Sequence, residues 1–150
     1  LTTLFPEVRL KRIIEVRGAD AVPRELTCAL PAIWKGVLYD AEACAEAWDL
    51  VSSFSFQERE EAHESVARKG LGAELGGRSV KALAEQLLAI SSRGLERIAT
   101  RRGISGGEQS FLVPLERILE SGQSPGEMIL DRWRKDWNGS LERLIAYARY

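Results

Sequence analysis

The chain changes its hydrophobic rhythm once, and that change dictates what it folds into. Over residues 7–17, Val8, Leu10, Ile14 and Val16 alternate with Glu7, Arg9, Glu15 and Arg17. A two-residue period is that of a strand with one apolar and one charged face. Lys11 to Ile13 interrupt the alternation, so the stretch reads as two short strands with a tight connection or one strand with a bulge. Gly18 closes the run and Pro23 marks a loop.

From residue 26 onward the period becomes helical. Leu26, Leu30, Ile33, Trp34, Val37 and Leu38 recur at three- and four-residue steps, with Pro31 either kinking this helix or sitting in its first turn. Asp40 is an N-cap for the next helix, and Ser55 with Glu58 forms a capping box for a third that stops at Gly70. Ser79 caps the longest helix, whose predicted apolar stripe is Val80, Leu83, Leu87, Ile90, Leu95 and Ile98. Three more helices are marked by Phe111 to Leu119, by Ser124, Pro125 and Glu127, and by Ser140 ahead of Leu144 and Ile145. The expected architecture is α+β: sheet strands within residues 1–20 and a helical subdomain over residues 26–150, in one segment of a single domain.

Composition removes several function classes. Twenty-one basic residues against 22 acidic ones give a net charge of -1, so no basic field of the kind nucleic acid requires is present. No apolar run approaches the roughly 18 residues that cross a bilayer, and the expectation is a soluble, cytoplasmic protein without membrane partners. The start at Leu1, without methionine, reads as a cut inside a longer chain. Cys28 and Cys44 are too few for a disulfide scaffold and have no zinc-ligand spacing around them. They are expected to be small buried apolar residues, a mutual disulfide being the alternative.

Few motifs bear on chemistry. The glycines of residues 70–77 and the I-S-G-G-E-Q stretch lack the lysine and hydroxyl of a phosphate-binding loop and are read as connectors. His63 stands among Glu60, Glu61 and Glu64 as a surface residue. The four tryptophans are expected to pack mainly in the core. In E-V-R-G-A-D, Glu15 and Arg17 project from one strand face, with Arg9 and Glu7 on the neighbouring strand. Such a pair is either a cross-strand salt bridge or a metal-binding carboxylate beside an arginine that stabilises charge on a transferring phosphate.

F-P-E-V-R-L-K-R, E-V-R-G-A-D and C-A-L-P-A-I-W-K-G-V-L-Y-D, followed more loosely by F-L-V-P-L-E-R-I, S-P-G-E-M-I-L, W-N-G-S and A-Y-A-R-Y, resemble the C-terminal part of the plant and proteobacterial glutamate-cysteine ligases. The resemblance implies a mostly helical piece of a glutamine-synthetase-like fold, carrying one or two antiparallel strands of the active-site sheet. It implies joining of L-glutamate to L-cysteine with ATP and Mg2+, through γ-glutamyl phosphate. By the same likeness Glu15 corresponds to a magnesium-binding glutamate, Arg17 to a catalytic arginine reaching the ATP phosphates, and Arg9 to a substrate-binding arginine. Glu7, Lys11 and Arg12 are supporting or surface residues.

The sequence departs from the family at Ala21 to Arg24, and at Lys35, where relatives are apolar. Cys28 matches a cysteine tied to redox-sensitive pairing, whose partner would lie upstream of Leu1. The missing N-terminal part of the enzyme would supply other metal ligands, so the chain alone is expected to be inactive. A related carboxylate-amine ligase with another amine acceptor, or a non-catalytic helical module, are the alternatives.

Overall fold

The computed structural model describes residues 8–19 and 22–149. Glu7, Asp20, Ala21 and the F-P-E start of the first motif lie outside the described residues. Strands β1 (Val8–Leu10) and β2 (Ile14–Val16) pair antiparallel, with Arg9 opposite Glu15. The interruption at residues 11–13 is therefore a tight connection between two strands, closed by the Lys11 amide donating to the Ile13 carbonyl at 2.9 Å.

The helices begin where the sequence supplies acceptors for free first-turn amides. A 3-10 turn at Arg24–Leu26 leads into α1 (Ala29–Leu38). Pro31 falls in its first turn, where a missing N–H costs no helical hydrogen bond. Helix α2 (Ala41–Val51) is capped by Asp40, whose Oδ1 accepts from the Ala43 amide at 3.0 Å. Helix α3 (Phe56–Lys69) opens on the reciprocal Ser55–Glu58 capping box.

Between α3 and α4 the sequence suggests a plain loop, and the structure corrects this. A 3-10 turn at Gly70–Gly72 leads into a second antiparallel hairpin, β3 (Glu74–Leu75) and β4 (Arg78–Ser79). Gly76 and Gly77 form its two-residue turn with φ of +55° and +75°, the mirror-image geometry that matches strand twist and that side chains resist. Helix α4 (Val80–Arg101) follows, capped by Ser79. A 3-10 turn at Glu108–Leu112 precedes α5 (Val113–Ser121), and α6 (Pro125–Lys135) and α7 (Leu141–Ala148) complete the chain. The fold is α+β and mostly helical, as expected.

Helix α4 is the spine. Leu88 and Leu95 from α4 pack with Ala32 of α1, Leu112 and Leu119 into the core. Leu95 and Leu112 are almost wholly removed from water, each contributing about 1.5–3 kcal/mol. The α1–α4 crossing is closer than a leucine stripe allows. A Cβ on Gly94 would lie 2.0 Å from the Gly36 carbonyl oxygen, and one on Gly36 would lie 2.3 Å from that of Ser91. The buried Ser91 hydroxyl donates to the Ile33 carbonyl at 2.9 Å. The predicted stripe is thus corrected: Leu88, Ser91 and Gly94 are buried, while Val80 and Leu87 are only half-buried.

Two further expectations fail. No tryptophan is buried, and Trp48 is 66% exposed, because α2 presents to the core a narrow seam centred on Ala43. Cys28 and Cys44 are both free and exposed, so they are neither core residues nor a disulfide. His63 is exposed as expected.

One long-range device ties α2 to the end of α4. Asp40 is 2% exposed. Besides capping α2, its Oδ1 accepts from Arg97 Nε and Nη2 at 2.9 and 2.7 Å, and its Oδ2 from Arg101 Nη1 at 2.6 Å. The Arg97 hydrogen bonds, the Ala43 amide and Arg101 hold its carboxyl far below the usual aspartate range, against the opposing effect of burial.

Candidate functional site

The first hairpin sorts its side chains by face. Val8, Leu10 and Ile14 point away from the charged residues and are exposed, as is Ile13 in the turn. Ile13, Ile14 and Val16 form one wall of a cleft of about 960 Å³, with Pro31, Trp34 and Leu38 of α1 opposite. The other face carries Arg9, Lys11, Glu15 and Arg17, because strand residues two apart share a face and Arg9 is the cross-strand partner of Glu15.

Glu15 is the centre of this face. Arg9 grips it with Nε and Nη2, which lie 3.0 and 2.8 Å from Oε2, and Nη2 also lies 3.1 Å from Oε1. Lys11 Nζ lies 3.6 Å from Oε2 and Arg17 Nε 3.9 Å from Oε1. The hydrogen bonds from Arg9 lower the Glu15 pKa; partial desolvation opposes this, and the charges of Arg9, Lys11 and Arg17 lower it further. The carboxylate therefore stays ionised through the neutral range and is no proton donor there.

The structure brings together all three residues singled out from the sequence, Arg9, Glu15 and Arg17. It adds Lys11, read from sequence as supporting or surface. The signal for Lys11 was present in its parity with Arg9, two residues back. Both sequence alternatives are visible: Arg9 and Glu15 do form a cross-strand salt bridge, yet two further cations share the same carboxylate. Residues 8–17 hold four cations against one carboxylate, in a chain whose net charge is -1.

Such a face attracts anions with several oxygens, which guanidinium groups grip bidentately and lysine meets as a point charge. It does not by itself fit a metal ion. Arg9 spans both oxygens of Glu15, and among the described residues no group of three or more His, Cys, Asp or Glu side chains is placed to hold a metal. A magnesium site at Glu15 would need ligands beyond this chain's described residues, so no chemical step here passes through the ion. Among the described residues, no helix is long and apolar enough to cross a membrane.

Comparison with known proteins finds relatives along the whole chain. The family model for glutamate-cysteine ligase family 2 (GCS2) matches residues 1–147. Over all 150 residues the chain is 41% identical to glutamate--cysteine ligase A, chloroplastic, of Oryza sativa subsp. indica, covering 29% of that protein. It is 38% identical to the chloroplastic glutamate--cysteine ligase of Arabidopsis thaliana and 37% identical to that of Medicago truncatula, covering 28% of each. The whole chain thus spans under a third of the length of the curated relatives it matches.

Proposed function

Because this chain belongs to glutamate-cysteine ligase family 2, we propose that it is one part of an enzyme that joins the γ-carboxylate of L-glutamate to the amine of L-cysteine, opening glutathione biosynthesis. The observation that carries this reading is the family match over residues 1–147, which includes the entire charged hairpin.

In the proposed reaction ATP phosphorylates the γ-carboxylate, and the cysteine amine then attacks the acyl phosphate, forming the amide and releasing phosphate. Transfer of this kind depends mainly on positioning and on cations placed where negative charge develops. Arg17 is assigned to the ATP phosphates. Its guanidinium lies beside Glu15, with a side chain only 24% exposed, so its direction is restrained. Arg9 is assigned to the substrate end, where a fork suits a carboxylate or acyl phosphate. Glu15 orients these cations and is also proposed as one magnesium ligand. That role requires it to leave its pairing with Arg9 and to be joined by ligands from elsewhere in a longer protein.

Because the chain spans so little of its relatives, it is proposed to be inactive as a ligase when alone. The cytoplasm is proposed as its location, since two exposed free thiols suit a reducing compartment; cell fractionation with an antibody to the chain tests this. The functional test is an assay of the complete protein containing this chain, following ADP release and product mass with glutamate, ATP and a panel of amines. Formation of γ-glutamylcysteine in preference to other γ-glutamyl amides supports the reading. Preference for another amine would move it to a related carboxylate-amine ligase, and absence of ATP-dependent ligation would remove it.

A further inference from the structure

We infer that a cavity between the 3-10 turn at Arg24–Leu26 and helices α5, α6 and α7 binds a free aromatic L-amino acid, its ring among prolines, Met128 and Tyr147 and its charged end between Arg117 and Glu25. The inference is independent of the ligase reading, and the cavity shares no lining residue with the cleft beside the first hairpin.

The cavity measures about 170 Å³, and its apolar walls include Pro23, Pro114, Pro125, Ile118, Met128 and Tyr147. An apolar cavity of about 150 Å³ takes up benzene, so the volume matches one phenyl ring. A thioether and a tyrosine ring both make specific contacts with an aromatic guest that an aliphatic one does not share. The walls are also preformed. Pro114 and Pro125 stand in the first turns of α5 and α6, where a fixed φ leaves little freedom to lose. Tyr147 is held by Trp137, with 5.3 Å between ring centroids, and by the Arg132 guanidinium, 5.0 Å from its own centroid. A preformed apolar pocket with a few polar groups at its edge is the usual form of a small-molecule site.

Those polar groups fix the class of ligand. Glu25 and Arg117 both line the cavity and are exposed. Among the described residues neither makes an ion pair or side-chain hydrogen bond, with the other or with a third group. A guanidinium grips a carboxylate bidentately, and a carboxylate accepts from an ammonium. One zwitterion satisfies both, which a simple anion or cation does not. Arg24, exposed on the same turn as Glu25 but not lining the cavity, supplies a control charge.

The test is calorimetric titration of the complete protein containing this chain with L-phenylalanine, L-glutamate being present to occupy any substrate site. Saturable binding with a Kd of about 1 mM or tighter is expected. L-alanine, with the same charges and no ring, is expected to bind at least about tenfold more weakly, and L-leucine about threefold more weakly. Arg117→Met is expected to weaken L-phenylalanine and 3-phenylpropanoate about fivefold, leaving 2-phenylethylamine within about twofold. Glu25→Gln is expected to weaken L-phenylalanine and 2-phenylethylamine about threefold and to spare 3-phenylpropanoate. Arg24→Gln is expected to change L-phenylalanine binding by less than about twofold, as screened charge would.

No saturable binding up to about 10 mM L-phenylalanine, equal effects of Arg117→Met and Arg24→Gln, or L-alanine or L-leucine binding as tightly as L-phenylalanine would overturn the inference. N-acetyl-L-phenylalaninamide binding as tightly as the free amino acid would overturn it as well, since the cavity would then take a side chain of a polypeptide.

Discussion

Replacing Asp40 tests how the helical part is held together. The carboxylate caps α2 and takes charged hydrogen bonds from Arg97 and Arg101, while being nearly removed from water. Loss of an N-cap costs about 1 kcal/mol, and hydrogen bonds to a charged group about 1.5–3 kcal/mol. The Arg101 side chain is 54% exposed, so its pairing is discounted to below about 1 kcal/mol. Arg97 also lies 3.4 Å from Glu42 and 3.8 Å from Glu46, so truncating Asp40 does not strand its charge. The expected loss for Asp40→Ala is therefore about 3 kcal/mol, at the lower end of the roughly 3–5 kcal/mol for breaking a fully buried pair.

Asp40→Asn keeps a capping oxygen and is expected to lose about half as much. The pH dependence has a definite sign. The folded-state pKa lies below the unfolded one, so the stabilisation is complete above the ordinary aspartate pKa of about 3.9 and declines as pH falls toward the folded value. Urea denaturation followed by circular dichroism should show the gap between the parent and Asp40→Asn narrowing by about 1 kcal/mol from pH 7 to pH 3. A gap unchanged over that interval, or a loss under about 1 kcal/mol in Asp40→Ala at pH 7, would refute the reasoning.

Other consequences follow from packing and exposure. Gly94→Ala places a methyl group against the Gly36 carbonyl and should cost about 2 kcal/mol or more by forcing α1 from α4, read as a fall in thermal midpoint; an unchanged midpoint would mean the helices are not this close. Ser91→Ala removes the buried bond to the Ile33 carbonyl and should cost about 1 kcal/mol, measured by the same melt. Both Cys28 and Cys44 are exposed thiols, so Ellman's reagent should titrate both without denaturant, and protection of either would contradict the described surface.

Features built from neighbours along the chain were the legible ones. Asp40, Ser55, Ser79, Ser124 and Ser140 all cap the helices expected of them, because a cap reaches only three residues ahead. The hairpin was legible for the same reason, its alternation and interruption lying within ten residues. What escaped were choices made by distant partners. Asp40's second role depends on Arg97 and Arg101, 57 and 61 residues away. Ser91 and Gly94 displace Leu87 from the buried face because Gly36 lets the helices approach closely, and periodicity counts leucines without sensing that distance. Trp48 fits a helical pattern but lies outside the narrow seam α2 buries. At the site, spacing alone left Glu15 and Arg17 as an ion pair or a phosphate-handling pair. The structure adds that Arg9 and Lys11 meet the same carboxylate, a contact between two strands that spacing within one strand does not display.

The most direct measurement for the whole account is steady-state kinetics of Arg17→Ala in the complete protein containing this chain. Arg17 follows β2 beside Glu15, and its removal should lower kcat for ATP-dependent formation of γ-glutamylcysteine by about a hundredfold in a variant whose circular dichroism shows it folded. An unaltered kcat in a folded variant would contradict the claim that this hairpin forms part of a phosphoryl-transfer site.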